Sequence, residues 1–245
     1  MWIVKPGESS NRGNGITVCH CLDDVRLRLK GRERNSDGSL RTFIVQRYME
    51  KPLLYKGRKF DIRHYILLSC INGSIKAYWF PEGYIRTASI PFSLKRGGGP
   101  MVHLTNDAIQ QKGTEYGKFE KGNKVSYEKF QNYLNKDKPI FSSQVLPQMK
   151  EITKEAVKAC YLTLDPKRRE HNFELLGMDF MLDEELRPWL IEINTNPCLD
   201  CGCSLLDRVI PYMVEQSLKL SLDLVYPPPC HYPNTSKHFA PFINL

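Results

Sequence analysis

The sequence predicts an α+β fold, with antiparallel or mixed sheets flanked by helices. Two hairpins are the first observation: apolar runs on both sides of a polar turn at 173–197, and a run at 59–71 that turns back at Asn72–Gly73. Two amphipathic helices, predicted at 147–164 and 204–225, are the second observation. Their apolar faces should cover the sheets.

Length and charge narrow the class of protein. A chain of 245 residues can bury a substantial core, as one large domain or two small ones. The net charge of +8 and the pI of about 9.0 favour acidic partners. We expect no nucleic-acid partner, because no RNA-recognition, zinc-finger or homeodomain motif is found. We expect no membrane association either, because no signal peptide or long apolar run occurs.

The eight cysteines are expected to be reduced thiols in a cytoplasmic protein. Cys198, Cys201 and Cys203 could together bind zinc, but a second cysteine pair or a cysteine–histidine pair at finger spacing is absent. Free buried thiols are therefore the expectation for this cluster.

The hairpin at 173–197 predicts a metal site. Pairing about a turn at Glu185–Leu186 places Asp179 opposite Glu192, and Asn194 falls on the same face as Glu192. Two adjacent carboxylates need a compensating cation or a proton. A set of oxygen ligands suits Mg²⁺, which is usually held together with substrate phosphates. The alternative is a solvated strand face with ordinary exposed acids.

A strand, a glycine-rich loop and a second strand are predicted at the N-terminus. The strand at 1–6 leads into GESSNRGNG, and a strand resumes at Ile16. Backbone N–H groups of such a loop can cradle phosphate oxygens, with Lys5 and Arg12 adding positive charge. The loop lacks the GK[ST] ending of a P-loop, and a flexible surface loop is the alternative.

Residues 22–42 are charged and predict a mobile excursion without regular structure. The strand at 43–49 ends before Pro52 and could form an interdomain hinge that binds adenine. Lys59, Asp61 and Arg63 share one face of the next strand, which is either a salt-bridged surface or a wall that faces polyphosphate.

The rest of the chain alternates short helices and loops. Arg86 lies on an extended segment, and Thr105 or Asn106 can begin a short helix that Gly113 ends. A further helix is predicted at 126–134, and the helix at 204–225 contains Pro211. The three successive prolines at 227–229 predict that residues 227–245 form an extended tail.

These features occur in the order that is typical of the ATP-grasp layout. The segments WIVKPGESSNRGNGI, QRYMEKPLLYKGRKFDIRHYILL, HLTNDAIQ and LLGMDFMLDEELRPWLIEINTNPCLD resemble the tubulin–tyrosine ligase family. The resemblance extends to about Pro229. It implies an enzyme that joins an amino acid to the acidic tails of tubulin with ATP and Mg²⁺, in the cytoplasm on microtubules, in a cilium or at a basal body.

The resemblance also implies roles for individual residues. The metal ligands would be Asp179, Glu192 and Asn194, and Arg86 would bind the incoming amino acid. Lys59 and Arg63 would neutralise charge on the transferred phosphoryl group, and no side-chain nucleophile is needed. The implied nucleotide-binding residues are Lys5, Arg12, Gly13, Gln46, Arg47, Tyr48, Met49, Lys59, Phe60, Asp61, Thr105 and Asn106.

In such a reaction ATP phosphorylates a carboxylate of the protein substrate, and the amine of the amino acid attacks the acyl phosphate. The NTNPCLD segment and Arg86 resemble the glutamylating and glycylating members of the family more than the tyrosine-adding one, and we expect glutamate. Glycine, tyrosine, a ligase acting on a small molecule and a non-catalytic microtubule-binding protein are alternatives. The implied domains are 1–50, part of the central subdomain; 51–226, the C-terminal subdomain; and 227–245, the tail. Family members carry a preceding N-terminal domain, so an N-terminal truncation is expected.

Overall fold

The computed structural model describes residues 1–7, 12–31, 33–164, 167, 169, 171–230 and 241–244. Packing divides the chain into two compact units. The first unit comprises Met1–Phe60, Arg86–Asn123 and Asp183–Glu185, and the second comprises Asp61–Ile85, Lys124–Leu182 and Leu186–Leu245. The predicted domains 1–50, 51–226 and 227–245 stay a prediction, and residues 51–60 pack with the first unit.

Antiparallel strands and helices build the described part of the chain. The strands are β1 Trp2–Pro6, β2 Thr17–Cys19, β3 Phe43–Arg47, β4 Leu54–Tyr55, β5 Arg58–Ile71, β6 Ser74–Trp79, β7 Tyr84–Pro91, β8 Lys124–Ser126, β9 Asn172–Leu182, β10 Pro188–Asn194 and β11 Ile243–Asn244. The α-helices are α1 Leu22–Leu29, α2 Gly99–His103, α3 Asp107–Gln110, α4 Tyr127–Leu134, α5 Leu146–Leu164 and α6 Ser204–Leu222. The predicted α+β class is confirmed.

The first unit contains a three-stranded antiparallel sheet in the order β2-β1-β3. Its small core consists of Val4, Cys19 and Val25, with Trp2 and Phe43 packed against it. The predicted N-terminal strands are confirmed as β1 and β2. Residues 8–11 of the predicted phosphate loop lie outside the described residues.

The prediction that residues 22–42 lack regular structure is wrong for α1. The carboxylate of Asp24 accepts hydrogen bonds from the backbone N–H groups of His20 at 2.9 Å and Cys21 at 3.3 Å, which caps the helix. Leu22, Val25 and Leu29 fall at helical spacing, but the pattern covers only eight residues and only Val25 is buried. Local capping therefore supports a helix whose hydrophobic pattern is short.

The second unit is built on an antiparallel sheet in the order β10-β9-β5-β6-β11. The predicted hairpin at 59–79 is confirmed, and Asn72 and Gly73 adopt positive φ angles of 51° and 75° in its turn. Tyr65, Leu67 and Phe80 pack against Ile210 and Met213 of α6. The sheet thus buries one face under the predicted C-terminal helix.

The remaining predicted helices are confirmed as α4 and α5, and a π-helical turn at Phe141–Val145 leads into α5. The predicted short helix is α3, with Asn106 at its N-cap position. Ile243–Asn244 pair with β6, which the prediction of a simple extended tail did not include. No helix in the described ranges is long and apolar enough to cross a membrane.

Candidate functional site

The β9–β10 hairpin has the predicted register at Glu192–Asn194, whereas the pairs nearer the turn, at Pro188–Leu190, are shifted by one residue from the prediction. Asp179 lies opposite Glu192, and Met178 lies opposite Ile193. A register shift separates Leu190 from Glu192, which is the signature of a β-bulge. Because the bulge precedes Glu192, the alternation from Glu192 to Asn194 is kept. The predicted pairing of two carboxylates across this hairpin is confirmed.

Arg63 supplies the cation that the paired carboxylates require. It lies opposite Asp179 on the neighbouring strand β5, where its Nε is 2.5 Å from Asp179 Oδ1 and its Nη2 is 3.2 Å from Oδ2. Both residues are buried, with 5% and 3% of their surfaces exposed. The bidentate geometry gives a strong, oriented ion pair. Arg63 therefore compensates the charge of Asp179 inside the sheet.

Asn194 completes the polar cluster. Its Nδ2 donates to Asp179 Oδ2 at 3.3 Å and to the carbonyl oxygen of Gly177 at 3.2 Å. A β-carbon on Gly177 would lie 2.7 Å from Cβ of Pro197 and 3.4 Å from Cδ of Arg63. Only glycine allows this close approach, so the hairpin, the chain after it and Arg63 pack into one rigid cluster.

The three predicted metal ligands fit Mg²⁺ by the chemistry of their donor atoms. Glu192 is exposed, and the amide nitrogen of Asn194 faces Asp179, so Oδ1 is the atom of Asn194 that could bind a metal. Among the described residues there is no group of three His, Cys, Asp or Glu side chains that could hold a metal. Two carboxylates and one amide oxygen nevertheless suit Mg²⁺, which also takes phosphate and water ligands.

In the first unit, the start of α3 lies beside the predicted phosphate loop. Arg12 and Gly13 have positive φ angles of 57° and 79°. A β-carbon on Gly13 would lie 3.2 Å from Asn106 Oδ1 and from Ile109 Cγ1. Asn106 occupies the N-cap position, but its side chain forms no capping hydrogen bond in the described structure. The structure thus brings Gly13 and Asn106 together, as the predicted nucleotide site requires.

The predicted hinge residues divide between surface and interior. Gln46 and Arg47 are exposed on β3, whereas Tyr48 is buried and Met49 is half-buried. The Nζ atom of Lys59 donates to the hydroxyl of Tyr48 at 3.0 Å and lies 4.5 Å from the centroid of its ring. Burial raises the pKa of Tyr48. Lys59 is therefore held by a neutral phenol.

Gln110 anchors the HLTN segment, although no sequence pattern selects it. This fully buried side chain accepts a hydrogen bond from the N–H of Ser89 at 2.8 Å. It donates to the carbonyl oxygens of Met101 at 2.9 Å and Leu104 at 2.5 Å. Gln110 thereby fixes the backbone before Thr105 to strand β7. A buried glutamine looks like an exposed one in the sequence, so sequence reasoning could not have found it.

The predicted site residues are distributed over both units, and their roles stay predictions. Phe60 is part of the hydrophobic core, and Arg86 and Thr105 are also buried. The second unit holds Asp61, Arg63, Asp179, Glu192 and Asn194. The first unit holds Lys5, Arg12, Gly13, Gln46, Arg47, Tyr48, Met49, Lys59, Phe60, Arg86, Thr105 and Asn106.

Comparisons with known proteins agree on one family. The profile of the tubulin-tyrosine ligase family matches residues 1–234. Tubulin glycylase 3D of Tetrahymena thermophila is 32% identical over 228 residues, which are 91% of this chain and 21% of that protein. Tubulin glycylase 3A of Drosophila melanogaster is 36% identical over 230 residues, which are 91% of this chain and 22% of that protein.

One human relative is named as an inactive protein. Inactive polyglycylase TTLL10 of Homo sapiens is 33% identical over 241 residues, which are 91% of this chain and 35% of that protein. The chain thus spans about a fifth to a third of the length of these relatives. Their names refer to glycine and not to glutamate.

Proposed function

We propose that this chain, which belongs to the tubulin–tyrosine ligase family, carries the ATP-grasp region of a ligase that adds glycine to tubulin. Ligases with this fold use ATP and Mg²⁺ in general. The observation that best supports a catalytic role is the buried Arg63–Asp179 pair, with Glu192 and Asn194 on the adjoining strand. A family member that only bound microtubules would have no chemical need for the two adjacent carboxylates of Asp179 and Glu192.

Glycine replaces glutamate as the proposed amino acid. Arg86 and the NTNPCLD segment resemble glutamylating and glycylating members alike, and the relatives that cover most of this chain are named as glycylases. Arg86 is suited to either amino acid, because its guanidinium would bind the α-carboxylate that both share. We therefore propose that the pocket beyond this carboxylate distinguishes the two.

The proposed reaction needs no nucleophilic side chain. A carboxylate oxygen of tubulin attacks the γ-phosphorus of ATP, and ADP leaves. The amine of glycine then attacks the acyl carbon and loses a proton, an amide bond forms, and phosphate leaves. Lys59 and Arg63 would stabilise the negative charge on the transferred group, and Arg86 would orient the amine. Removing one such charge typically costs about 3 kcal/mol of barrier, or about a hundredfold in rate.

Asp179, Glu192 and Asn194 would hold Mg²⁺. The bound ion would neutralise phosphate oxygens during transfer. Arg63 would keep the carboxylate of Asp179 oriented towards the ion, and Asn194 would contribute its amide oxygen. Glu192, which is exposed, would be the ligand that is most easily changed without loss of the fold.

The first unit would bind the nucleotide. Lys5 and Arg12 would contact the phosphates, and Gly13 and Asn106 already lie side by side. The net charge of +8 favours association with the acidic tails of tubulin and hence a location on microtubules.

Intact-mass measurement of tubulin tests the proposal. The chain is incubated with ATP, Mg²⁺ and tubulin, and with glycine, glutamate or tyrosine in turn. We expect the mass of tubulin to increase by one glycine residue when glycine is supplied, and to stay unchanged with glutamate or tyrosine. The variant Glu192→Gln should abolish them, whereas Glu174→Gln, which changes an exposed carboxylate on the same hairpin, should not. Equal activity of both variants would contradict the role of Glu192.

A non-catalytic microtubule-binding protein is the second candidate, because one relative is named an inactive polyglycylase. Co-sedimentation with microtubules separates the two functions. Binding without any mass change of tubulin, with each of the three amino acids, would favour this second candidate.

A further inference from the structure

Three buried side chains of the first unit form a continuous hydrogen-bonded chain. Lys59 Nζ donates to Tyr48 Oη at 3.0 Å, and Tyr48 Oη lies 2.8 Å from His103 Nδ1. Lys59, Tyr48 and His103 expose only 5%, 7% and 4% of their surfaces. His103 is the first residue of the HLTN segment. The hydrogen-bonded chain therefore links this segment to Lys59, a predicted nucleotide-binding residue.

The chemistry of the three groups fixes the direction of this chain. A lysine ammonium can only donate, so the oxygen of Tyr48 accepts from Lys59. Because burial raises the pKa of Tyr48, the phenol keeps its proton. That single proton is then donated to His103, whose Nδ1 must be the unprotonated ring nitrogen. His103 is therefore the terminal acceptor, and its proton resides on Nε2.

Packing holds the ring of His103 in the orientation that this bond requires. Its ring meets that of Tyr48 edge to face at 5.4 Å and that of Phe92 edge to face at 6.2 Å. Burial, with the nearby charges of Lys59 and His20, lowers the pKa of His103. Both effects favour a neutral imidazole in a fixed position.

We propose that His103 is a positioning residue that orients the ammonium of Lys59 through Tyr48 for contact with nucleotide phosphates. The proposal rests on the proposed function, because it takes Lys59 as a phosphate-binding group. A phenol that donates to an imidazole is a stronger acceptor for the ammonium, since hydrogen bonds in a chain polarise one another. Loss of the acceptor at His103 would remove this polarisation and would weaken the hydrogen bond between Tyr48 and Lys59.

Nucleotide titrations of matched variants test the proposal. His103→Phe keeps a planar ring but removes the acceptor, whereas His103→Asn places an oxygen near the position of Nδ1. We expect His103→Phe to weaken ATP binding by up to about tenfold, the usual upper value of one neutral hydrogen bond, and adenosine binding to stay unchanged. His103→Asn should restore most of the affinity, and His20→Phe should have no effect.

Unchanged ATP affinity in His103→Phe, or an equal loss for ATP and adenosine, would refute the proposal. A failure of His103→Asn to restore binding would do so as well, because it would indicate a role in packing alone. These results presuppose that the unsubstituted chain binds ATP. If it does not, the proposed function fails.

A second measurement tests the hydrogen-bonded chain without nucleotide. The ¹⁵N chemical shifts of the His103 imidazole should identify the neutral tautomer with its proton on Nε2. The shift of Nδ1 should change in Lys59→Met, because the phenol loses its cationic donor. The inference would be overturned, even if ATP binds, by a proton on Nδ1 of His103 or by a ¹⁵N chemical shift of Nδ1 that does not change in Lys59→Met.

Discussion

Breaking the Arg63–Asp179 pair should destabilise the second unit strongly. Asp179→Asn removes the negative charge but keeps the size of the side chain, and so takes the buried, bidentate carboxylate partner away from the guanidinium of Arg63. Removing one partner of a buried, hydrogen-bonded ion pair costs about 3–5 kcal/mol. The two short bonds at 2.5 Å and 3.2 Å place this pair in that class. We therefore expect the free energy of unfolding to fall by about 4 kcal/mol.

Urea unfolding, followed by tryptophan fluorescence, measures this loss. The pair of Arg208 and Glu82 is a matched control, because it has two bonds of 2.7 Å and 2.6 Å in the same unit but 61% and 27% of these side chains are exposed. Glu82→Gln should cost less than about 1 kcal/mol. A double variant with leucine at both 63 and 179 should cost less than the two single variants together. If Asp179→Asn costs no more than Glu82→Gln, the argument from burial is wrong.

Two further predictions concern residues outside the proposed chemistry. Burial lowers the pKa of His64 from 6.5 to about 3, so the folded state resists its protonation, and stability falls as the pH drops below 6.5. From pH 7 to pH 5 this loss should be about 2 kcal/mol in urea unfolding, and His64→Asn should remove that part of it; an identical pH profile in the variant would contradict the assignment. Gln110→Met should lower the stability of the first unit by about 3 kcal/mol, because two buried partners and one half-buried partner lose their hydrogen bonds, whereas exposed Gln111→Met should be nearly neutral. Similar thermal unfolding of these two variants would show that Gln110 does not anchor the HLTN segment.

The hairpins and their registers were accessible from the sequence because both depend on local information. Asn72–Gly73 specifies a tight turn, and the apolar pattern around the second turn fixes Asp179 opposite Glu192. The order of the strands within the sheet, by contrast, could not be predicted from local sequence. Arg63 and Asp179 are 116 residues apart, and no local pattern states that β5 and β9 are neighbours. The sequence therefore placed Arg63 on a predicted strand, but it could not identify Asp179 as the partner of this cation.

Helix α1, His103 and Gln110 illustrate the remaining limits of the sequence. The apolar residues of helix α1 at helical spacing, Leu22, Val25 and Leu29, lie within only eight residues, so the pattern alone gives a weak signal. His103 and Gln110 act through buried hydrogen bonds, and burial of a polar side chain depends on tertiary packing. The two units also interleave along the chain, with residues 86–123 joining the first unit. Contiguous boundaries such as 1–50 and 51–226 do not express such an arrangement.

The most direct test of the account is calorimetric titration of the chain with ATP in the presence and absence of Mg²⁺. We expect Mg²⁺ to tighten ATP binding, the variant Glu192→Gln to lose that gain while keeping its metal-free affinity, and Glu174→Gln to behave as the unsubstituted chain does. If the gain from Mg²⁺ is the same in Glu192→Gln as in the unsubstituted chain, the carboxylates of this hairpin do not hold the ion.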